Sequence, residues 1–291
     1  MILLEKYLPL DVIRYINEFV KYEELNNITI RSAVKFWFTD RKECRFEYGH
    51  ISYWNTSKVT DMSYLFFNKR IFNEDISRWN VSNVIYMQEI FSYASNFNSD
   101  ISKWNVSNVT NMSHMFDGAS NFNSDLSNWN VGNVTTMRGM FYKALSFNAN
   151  ISNWNVSNVT NMNEMFKFAE SFNNDISKWN VSNVISMLSM FDNAISFNAD
   201  ISNWNVSTVK IMSKMFYRAK KFNANISGWN VSNVENMSFM FYKSKKFKCD
   251  LSRWNTVNLI FKGRMFEKSN FTSNYLLLPF GYRKIPDWYI E

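Results

Sequence analysis

One stretch of 25 residues decides how this chain folds: "FNSDISKWNVSNVTNMSHMFDGASN", residues 97–121. Its pattern returns at the same spacing through most of the 291 residues, for example as "FNADISNWNVSTVKIMSKMFYRAKK", residues 197–221. A fixed period in this range predicts a solenoid, because each unit has an apolar face that only its neighbours can cover. The unit carries one tryptophan per period, at Trp54, Trp79, Trp104, Trp129, Trp154, Trp179, Trp204, Trp229 and Trp254.

Apolar residues in the first half of the unit predict a short strand at residues 104–106, with a bend between Ile101 and Trp104. Ile101, Trp104 and Val106 have the spacing of the leucine-rich-repeat skeleton. Trp104 and Val106 share a parity, so a short strand here buries both side chains and directs Asn105 outward. We expect these strands to stack in parallel, about 4.8 Å apart.

The second half of the unit has the apolar spacing of a helix. Its apolar residues fit one stripe of two to three helical turns. They are Val109, Met112, Met115, Phe116 and Ala119. One short strand and one short helix per unit predict an α/β repeat solenoid, a leucine-rich-repeat-like arc of about nine 25-residue units with an N-terminal helical cap.

Polar residues repeat as regularly as the apolar ones. We expect the asparagine after each tryptophan to hydrogen-bond to its equivalent in the next unit through stacked amides; the alternative is a ligand-binding stripe. A second asparagine, typified by Asn108, suits a turn or helix cap. Asp100 has an aspartate at the equivalent position of most units, but Asn150 and Asn225 take that position in two of them. This replacement favours a turn role over a calcium site. The expected structural ladder includes Trp104, Asn105, Trp129, Asn130, Trp154 and Asn155.

The whole motif, Phe-Asn-x-Asp-Ile-Ser-x-Trp-Asn-Val-Ser-Asn-Val-x-x-Met-x-x-Met-Phe-x-x-Ala, resembles the repeat of the BspA-like leucine-rich repeat family over about residues 50–270. Members of that family occur among bacterial surface proteins and in protists and large DNA viruses. The resemblance implies an interaction or adhesion scaffold without enzymatic activity. Because no signal peptide or lipid-anchor cysteine is found near Met1, we expect an intracellular protein, in the host cytoplasm if viral. The cell surface or a virion is the alternative.

Residues 1–46 lie outside the period and read as two helices, which suits an N-terminal cap. Leu8-Pro9 is followed by Asp11-Val12 and Ile16, then by "YEEL" and by "SAVKFW", which ends at Trp37. In this order and length the segment also resembles an F-box. That resemblance implies that Leu8, Pro9, Val12, Ile16 and Trp37 contact a Skp-type adaptor of a ubiquitin ligase. Residues 47–270 are then the nine-unit repeat, and 271–291 a C-terminal cap whose aromatic and aliphatic residues cover the last unit.

Positive charge is concentrated near the C-terminus. The chain has a net charge of +7, and residues 201–291 hold 15 Lys/Arg against 5 Asp/Glu. Equivalent lysines in neighbouring units repel one another unless an acidic partner or phosphate relieves the repulsion; the alternative is a solvated basic surface. We do not expect nucleic-acid binding, because aromatic side chains are not interleaved with the exposed columns. The candidate partner patch comprises Arg218, Lys220, Lys221, Lys243, Lys245 and Lys246.

Catalytic motifs are absent from the sequence. His50 and His114 are its only histidines and fall in separate units, and no nucleophile set, phosphate loop or zinc spacing occurs. We therefore expect no enzyme, no cofactor, no metal and no membrane span. The expected function is that of a monomeric, non-catalytic protein-interaction scaffold. If the N-terminal segment is an F-box, the scaffold recruits substrates for ubiquitin ligation. A structural or virion repeat protein is the alternative.

The residues that vary between units show where a specific partner would bind. The exposed positions typified by Asn105 hardly change. Variation occurs at positions of the Lys103 type and in the second half of the unit, for example at Ser113, His114, Asp117 and Gly118. We expect a partner to bind this predicted helical side, the basic C-terminal units or an end of the stack.

Overall fold

The computed structural model describes residues 24–270. Two helices precede the repeats: α1, Thr29–Thr39, and α2, Arg41–Tyr48, followed by a 3-10 helix, Ile51–Tyr53. The side chain of Asp40 accepts a hydrogen bond from the backbone N–H of Glu43, which fixes the start of α2. The predicted first helix of the chain lies outside the described residues.

The N-terminal segment takes the place of a preceding unit. Helix α1 buries Ile30, Ala33, Val34 and Trp37, the i, i+3, i+4, i+7 spacing of one face. The side-chain oxygen of Asn27 accepts the backbone N–H of Thr60 at 2.8 Å. The N-terminal segment therefore supplies hydrogen-bond partners to backbone groups of the first rung that a preceding unit would otherwise bind. The end of a solenoid requires such a cap.

The repeats form a solenoid whose units stack in parallel like the rungs of a ladder. One residue per rung makes a parallel β-bridge to its equivalent 25 residues later, from Asp61 with Tyr86 to Asn236 with Phe261. Phe116 stacks on Phe122, where the next unit begins, at 3.8 Å, and on Phe141 at 5.6 Å. The ring columns make one continuous core, in which each buried Phe contributes about 1.5–3 kcal/mol.

The predicted strand at residues 104–106 is wrong, since no strand forms there. The side-chain oxygen of Asn105 accepts the backbone N–H of Ser107 at 3.2 Å, and the N–H of Val109 bonds to the carbonyl of Val106. These bonds close turns within the rung, so the chain curls instead of extending. The parallel bridge lies later, at Asn111.

The predicted helix over residues 109–119 is also wrong. His114 and Gly118 have left-handed backbones, with φ of 53° and 66°. The backbone N–H groups of Met112, His114, Phe116 and Gly118 donate to carbonyls of the next rung at 2.7–3.2 Å, while those between them close turns in their own rung. A helix would satisfy these N–H groups internally, whereas here four of the seven N–H groups of residues 112–118 donate to the neighbouring rung. We call residues 112–118 and their equivalents at 25-residue intervals the ladder face.

No helix among residues 24–270 is long and apolar enough to cross a membrane.

Candidate functional site

The tryptophans and the asparagines that follow them have different partners. Trp129 is buried, and its indole Nε1 donates to the carbonyl of Ile101, one rung earlier, at 3.0 Å. Asn130 is exposed, and its side-chain oxygen accepts the backbone N–H of Gly132 of its own rung. The expected amide-to-amide bond along the stack is thus replaced by a turn within each rung. Trp104, Asn105, Trp154 and Asn155 repeat these two arrangements.

Two other asparagine columns do connect the rungs. The side-chain nitrogen of Asn108 donates to the carbonyl of Ser82 of the preceding rung at 2.7 Å. The side-chain oxygen of Asn123 accepts the backbone N–H of Asn148 of the following rung at 2.7 Å. Sequence reasoning missed the second column, although the Phe-Asn dipeptide that marks it recurs with the period. The column runs through Asn73, Asn98, Asn123, Asn148, Asn173, Asn198 and Asn223, whose oxygen accepts the N–H of Lys248.

The aspartate column forms turns. The carboxylate of Asp100 accepts hydrogen bonds from the hydroxyl and the backbone N–H of Ser102, which together lower the pKa of Asp100 below its usual range. Asn150 makes the same contact with Ser152. Within residues 24–270, no group of three or more His, Cys, Asp or Glu side chains has the geometry of a metal site.

Many of the side chains that vary between rungs lie on the ladder face. At its N-terminal end, Tyr64, Phe67 and Tyr93 form an exposed aromatic cluster, with Phe67 edge-on to both tyrosines at 6.2 and 6.1 Å. These three side chains are 40–51% exposed, which is high for aromatic groups in contact with one another. This end of the face therefore offers an apolar surface.

The middle of the ladder face is charged. Nζ of Lys167 lies 3.2 Å from the carboxylate of Glu164 and 3.7 Å from that of Asp192 in the next rung. Burial raises the pKa of Asp192, against the opposing effect of Lys167. Two rungs earlier, Nδ1 of His114 lies 3.1 Å from the carboxylate of Asp117. The face thus changes character along the stack while its backbone stays constant.

Five of the six residues of the predicted basic patch divide into two groups. Lys221, Lys245 and Lys246 line an open groove of about 570 Å³, together with Lys248. Arg218 and Lys243 are not among the residues lining this groove. Their side chains lie over the rings of Tyr217 and Tyr242 at 5.2 and 5.4 Å, and these two rings stack at 4.8 Å. Lys220 is exposed and belongs to neither arrangement.

We define the basic groove as Lys221, Lys245, Lys246 and Lys248 with the polar residues between them. Those polar residues are Asn173, Ser196, Asn198, Asn223 and Asn270. The sequence analysis omitted Lys248. The sequence does indicate this residue, because Lys248 follows Phe247 at the position where the other units have the asparagine of the Phe-Asn dipeptide.

The residues of the F-box resemblance are described only in part. Leu8, Pro9, Val12 and Ile16 lie outside the described residues. Trp37 is 1% exposed and packs edge-on against Trp54, its ring centroid 6.0 Å away. The indole is therefore part of the joint between α1 and the first rung and offers no surface to a partner.

The end of the stack is apolar. In the last described rung, Val257, Ile260 and Phe261 are 57–75% exposed. The C-terminal cap predicted over 271–291 lies outside the described residues.

Comparison with protein families gives the identity of the repeat. The profile described as "Mycoplasma protein of unknown function, DUF285" matches residues 32–144, 125–210 and 175–276, which together make up most of the chain. The chain belongs to the DUF285 family. This membership agrees with the repeat scaffold that the 25-residue motif predicts. Residues 8–16 lie outside the DUF285 match.

Other comparisons of this DUF285 chain are less informative. Among solved structures, a leucine-rich repeat protein from Eubacterium ventriosum is similar, with 11% sequence identity and a TM-score of 0.41. The match covers 77% of this chain and 62% of that protein. A search of curated proteins finds no match.

Proposed function

We propose that this DUF285 protein is a non-catalytic scaffold that binds a protein partner through its ladder face. The observation that carries the proposal is the placement of variation. The core columns and the Asn105-type positions are nearly uniform, whereas the ladder face changes from aromatic to charged along the stack. Tyrosine and other aromatic residues that remain exposed are typical anchors of protein interfaces.

The regular backbone suits this role because it holds variable side chains at fixed spacing. His114 donates its backbone N–H to Arg138 at 2.7 Å, and Gly118 donates its own to Tyr142 at 2.7 Å. Bonds of this kind leave the side chains of the ladder face free to change without altering the path of the chain. A surface on a rigid backbone loses little conformational entropy on binding.

The experiment starts from partner capture with the full chain, followed by reconstitution of the complex from two purified components. The double variant Tyr64→Ala/Phe67→Ala should weaken binding by about tenfold or more, since exposed aromatic anchors often contribute over 1 kcal/mol. The control is Ile71→Ala, which removes a 78% exposed apolar side chain of the same rung outside the ladder face. Equal affinities for both variants would reject the ladder face as the binding surface.

A narrower form of the proposal is that the N-terminal segment recruits a Skp-type adaptor, so that the scaffold presents a substrate for ubiquitin ligation. Its support is the order of Leu8, Pro9, Val12 and Ile16 in the sequence. Since Trp37 is buried, the adaptor would contact residues N-terminal to α1. Purified adaptor should bind the wild type and not Leu8→Ala/Pro9→Ala; no binding by the wild type rejects this form.

The alternative, a structural repeat protein of a virion or surface layer, predicts self-assembly. We propose instead a monomer that acts inside the cell. Light scattering of the purified full chain over a range of concentrations distinguishes the two, because an assembly protein grows in mass with concentration.

A further inference from the structure

We propose that the basic groove binds an acidic, extended peptide segment of the partner protein. This inference rests on the proposed scaffold function and adds a second, charge-specific site to it. The groove and the ladder face are lined by different residues, so each can be tested while the other is left intact.

Charge in the groove is uncompensated within the described residues. In residues 24–270, the ion pairs of the neighbouring rungs use Lys210, Arg264 and Lys268, and none of the four groove lysines takes part in one. All four are exposed. Phe222 and Phe247, which directly follow two of the groove lysines, stack at 5.6 Å, so like charges are held on adjacent rungs. An anionic ligand would relieve this repulsion.

The groove presents hydrogen-bond donors. The side-chain oxygens of Asn173, Asn198 and Asn223 already accept a backbone N–H of the following rung, at 2.7–2.8 Å. Because the oxygen is used in this way, the part of each amide that is left to bind a ligand is its NH2 group, a double donor. Ammonium and amide donors side by side match a ligand rich in carboxylate oxygens.

The spacing fits an extended peptide that runs along the stack. Alternate side chains of such a peptide lie roughly 7 Å apart on one side. The Phe222 and Phe247 rings of the two rungs beside the groove have their centroids 5.6 Å apart. Flexible lysine side chains absorb the difference, so that successive carboxylates can each meet an ammonium group.

The lining of the groove disfavours other polyanions. It contains Lys, Asn and Ser and no aromatic side chain, so it lacks the stacking platform with which proteins hold single-stranded nucleic acid. It also lacks the apolar side chains with which amphipathic surfaces enter a bilayer.

The experiment measures binding of a fluorescent deca-glutamate peptide to the full chain by anisotropy at low and at physiological salt. Lys245→Glu/Lys246→Glu should weaken binding by about tenfold or more, and added salt should weaken wild-type binding. Lys103→Glu/Lys178→Glu, the same charge change at exposed sites outside the groove, should have less than about a twofold effect.

The groove proposal is overturned if the glutamate peptide does not bind, or if both variants lose binding equally. It is also overturned if oligothymidine or phosphatidylserine vesicles bind more tightly than the glutamate peptide. Deca-glutamine, which has the same length and no charge, should not bind. If the glutamate peptide fails to bind while the purified partner still depends on Tyr64 and Phe67, the groove is rejected and the scaffold function stands. If partner binding also does not depend on Tyr64 and Phe67, the groove proposal and the scaffold proposal are both rejected.

Discussion

The indole Nε1 of Trp129 donates a hydrogen bond to the carbonyl oxygen of Ile101, one rung earlier, at 3.0 Å. The same bond recurs in every rung from Trp79 to Trp254. Tryptophan is therefore kept for two reasons. Its ring fills the core, and its N–H ties each rung to the one before it.

Trp129→Phe should lower the free energy of unfolding by about 1–3 kcal/mol, because it keeps an aromatic ring and removes the donor to Ile101. Urea denaturation followed by circular dichroism measures the effect. Asn128→Ala, at the exposed neighbouring position, should change it by less than about 0.5 kcal/mol. An equal effect of the two substitutions would show that the indole bond contributes nothing.

Asn123→Ala should cost about 1 kcal/mol, because it removes the acceptor that the backbone N–H of Asn148 uses at 2.7 Å. Asn123→Asp keeps an acceptor oxygen and should cost less. Amide hydrogen exchange gives a local readout: the N–H of Asn148 should exchange faster in Asn123→Ala than in the wild type. Unchanged exchange at Asn148 would disprove the role of the Phe-Asn column.

Gly118→Ala should destabilise the chain by more than about 1 kcal/mol, because its φ is +66° and a Cβ there would lie 2.8 Å from Cδ1 of Tyr93. Tyr93→Ala in the same chain should recover the steric part of that loss, which a double-mutant cycle measures. Gly228→Ala is the matched control, since a Cβ at Gly228 has open space around it. A similar loss of stability at both glycines would contradict the requirement for a left-handed backbone at Gly118.

Stability should fall in acid through the aspartate column. Hydrogen bonds from serine lower the pKa of Asp100, Asp175 and Asp200. A lowered pKa stabilises the fold above the unfolded value of about 3.9, and this contribution is lost as the pH falls through the folded pKa. Buried Asp192, with a raised pKa, acts in the opposite direction.

Substitution separates the aspartate column from the other acidic groups. Asp100→Asn/Asp175→Asn/Asp200→Asn should flatten the loss of stability below about pH 4, since asparagine keeps the turn acceptor without titrating. The reverse change, Asn150→Asp, should steepen it. Thermal unfolding at a series of pH values gives the comparison; parallel curves for all variants would refute this account.

The period alone predicts which residues meet their equivalents in the next rung. Trp104 and Phe116 could be assigned to the core because identical neighbours must bury identical positions. The backbone path could not be predicted in the same way. Met112, Met115 and Phe116 fit one face of a helix, yet the acceptors for Met112 and Phe116 belong to the next rung. A pattern within one unit does not reveal acceptors that the neighbouring unit supplies.

The candidate sites were predictable to a similar degree. Phase along the sequence brings Lys221 beside Lys246, and both line the basic groove. The same reasoning grouped Arg218 and Lys243 with them, although left-handed backbones place those two side chains over the tyrosine stack. Left-handed residues change the direction of a side chain without changing its place in the repeat.

The most direct test of the central claim is site-specific photo-crosslinking in the reconstituted complex. Benzoylphenylalanine at Tyr93 or Arg138 samples the ladder face, and at Asn105 or Asn130 it samples an exposed, uniform column. The scaffold account predicts crosslinks to the partner from the two ladder-face positions and none from the two asparagine positions. Crosslinks from Asn105 and Asn130, with none from Tyr93 and Arg138, would contradict it.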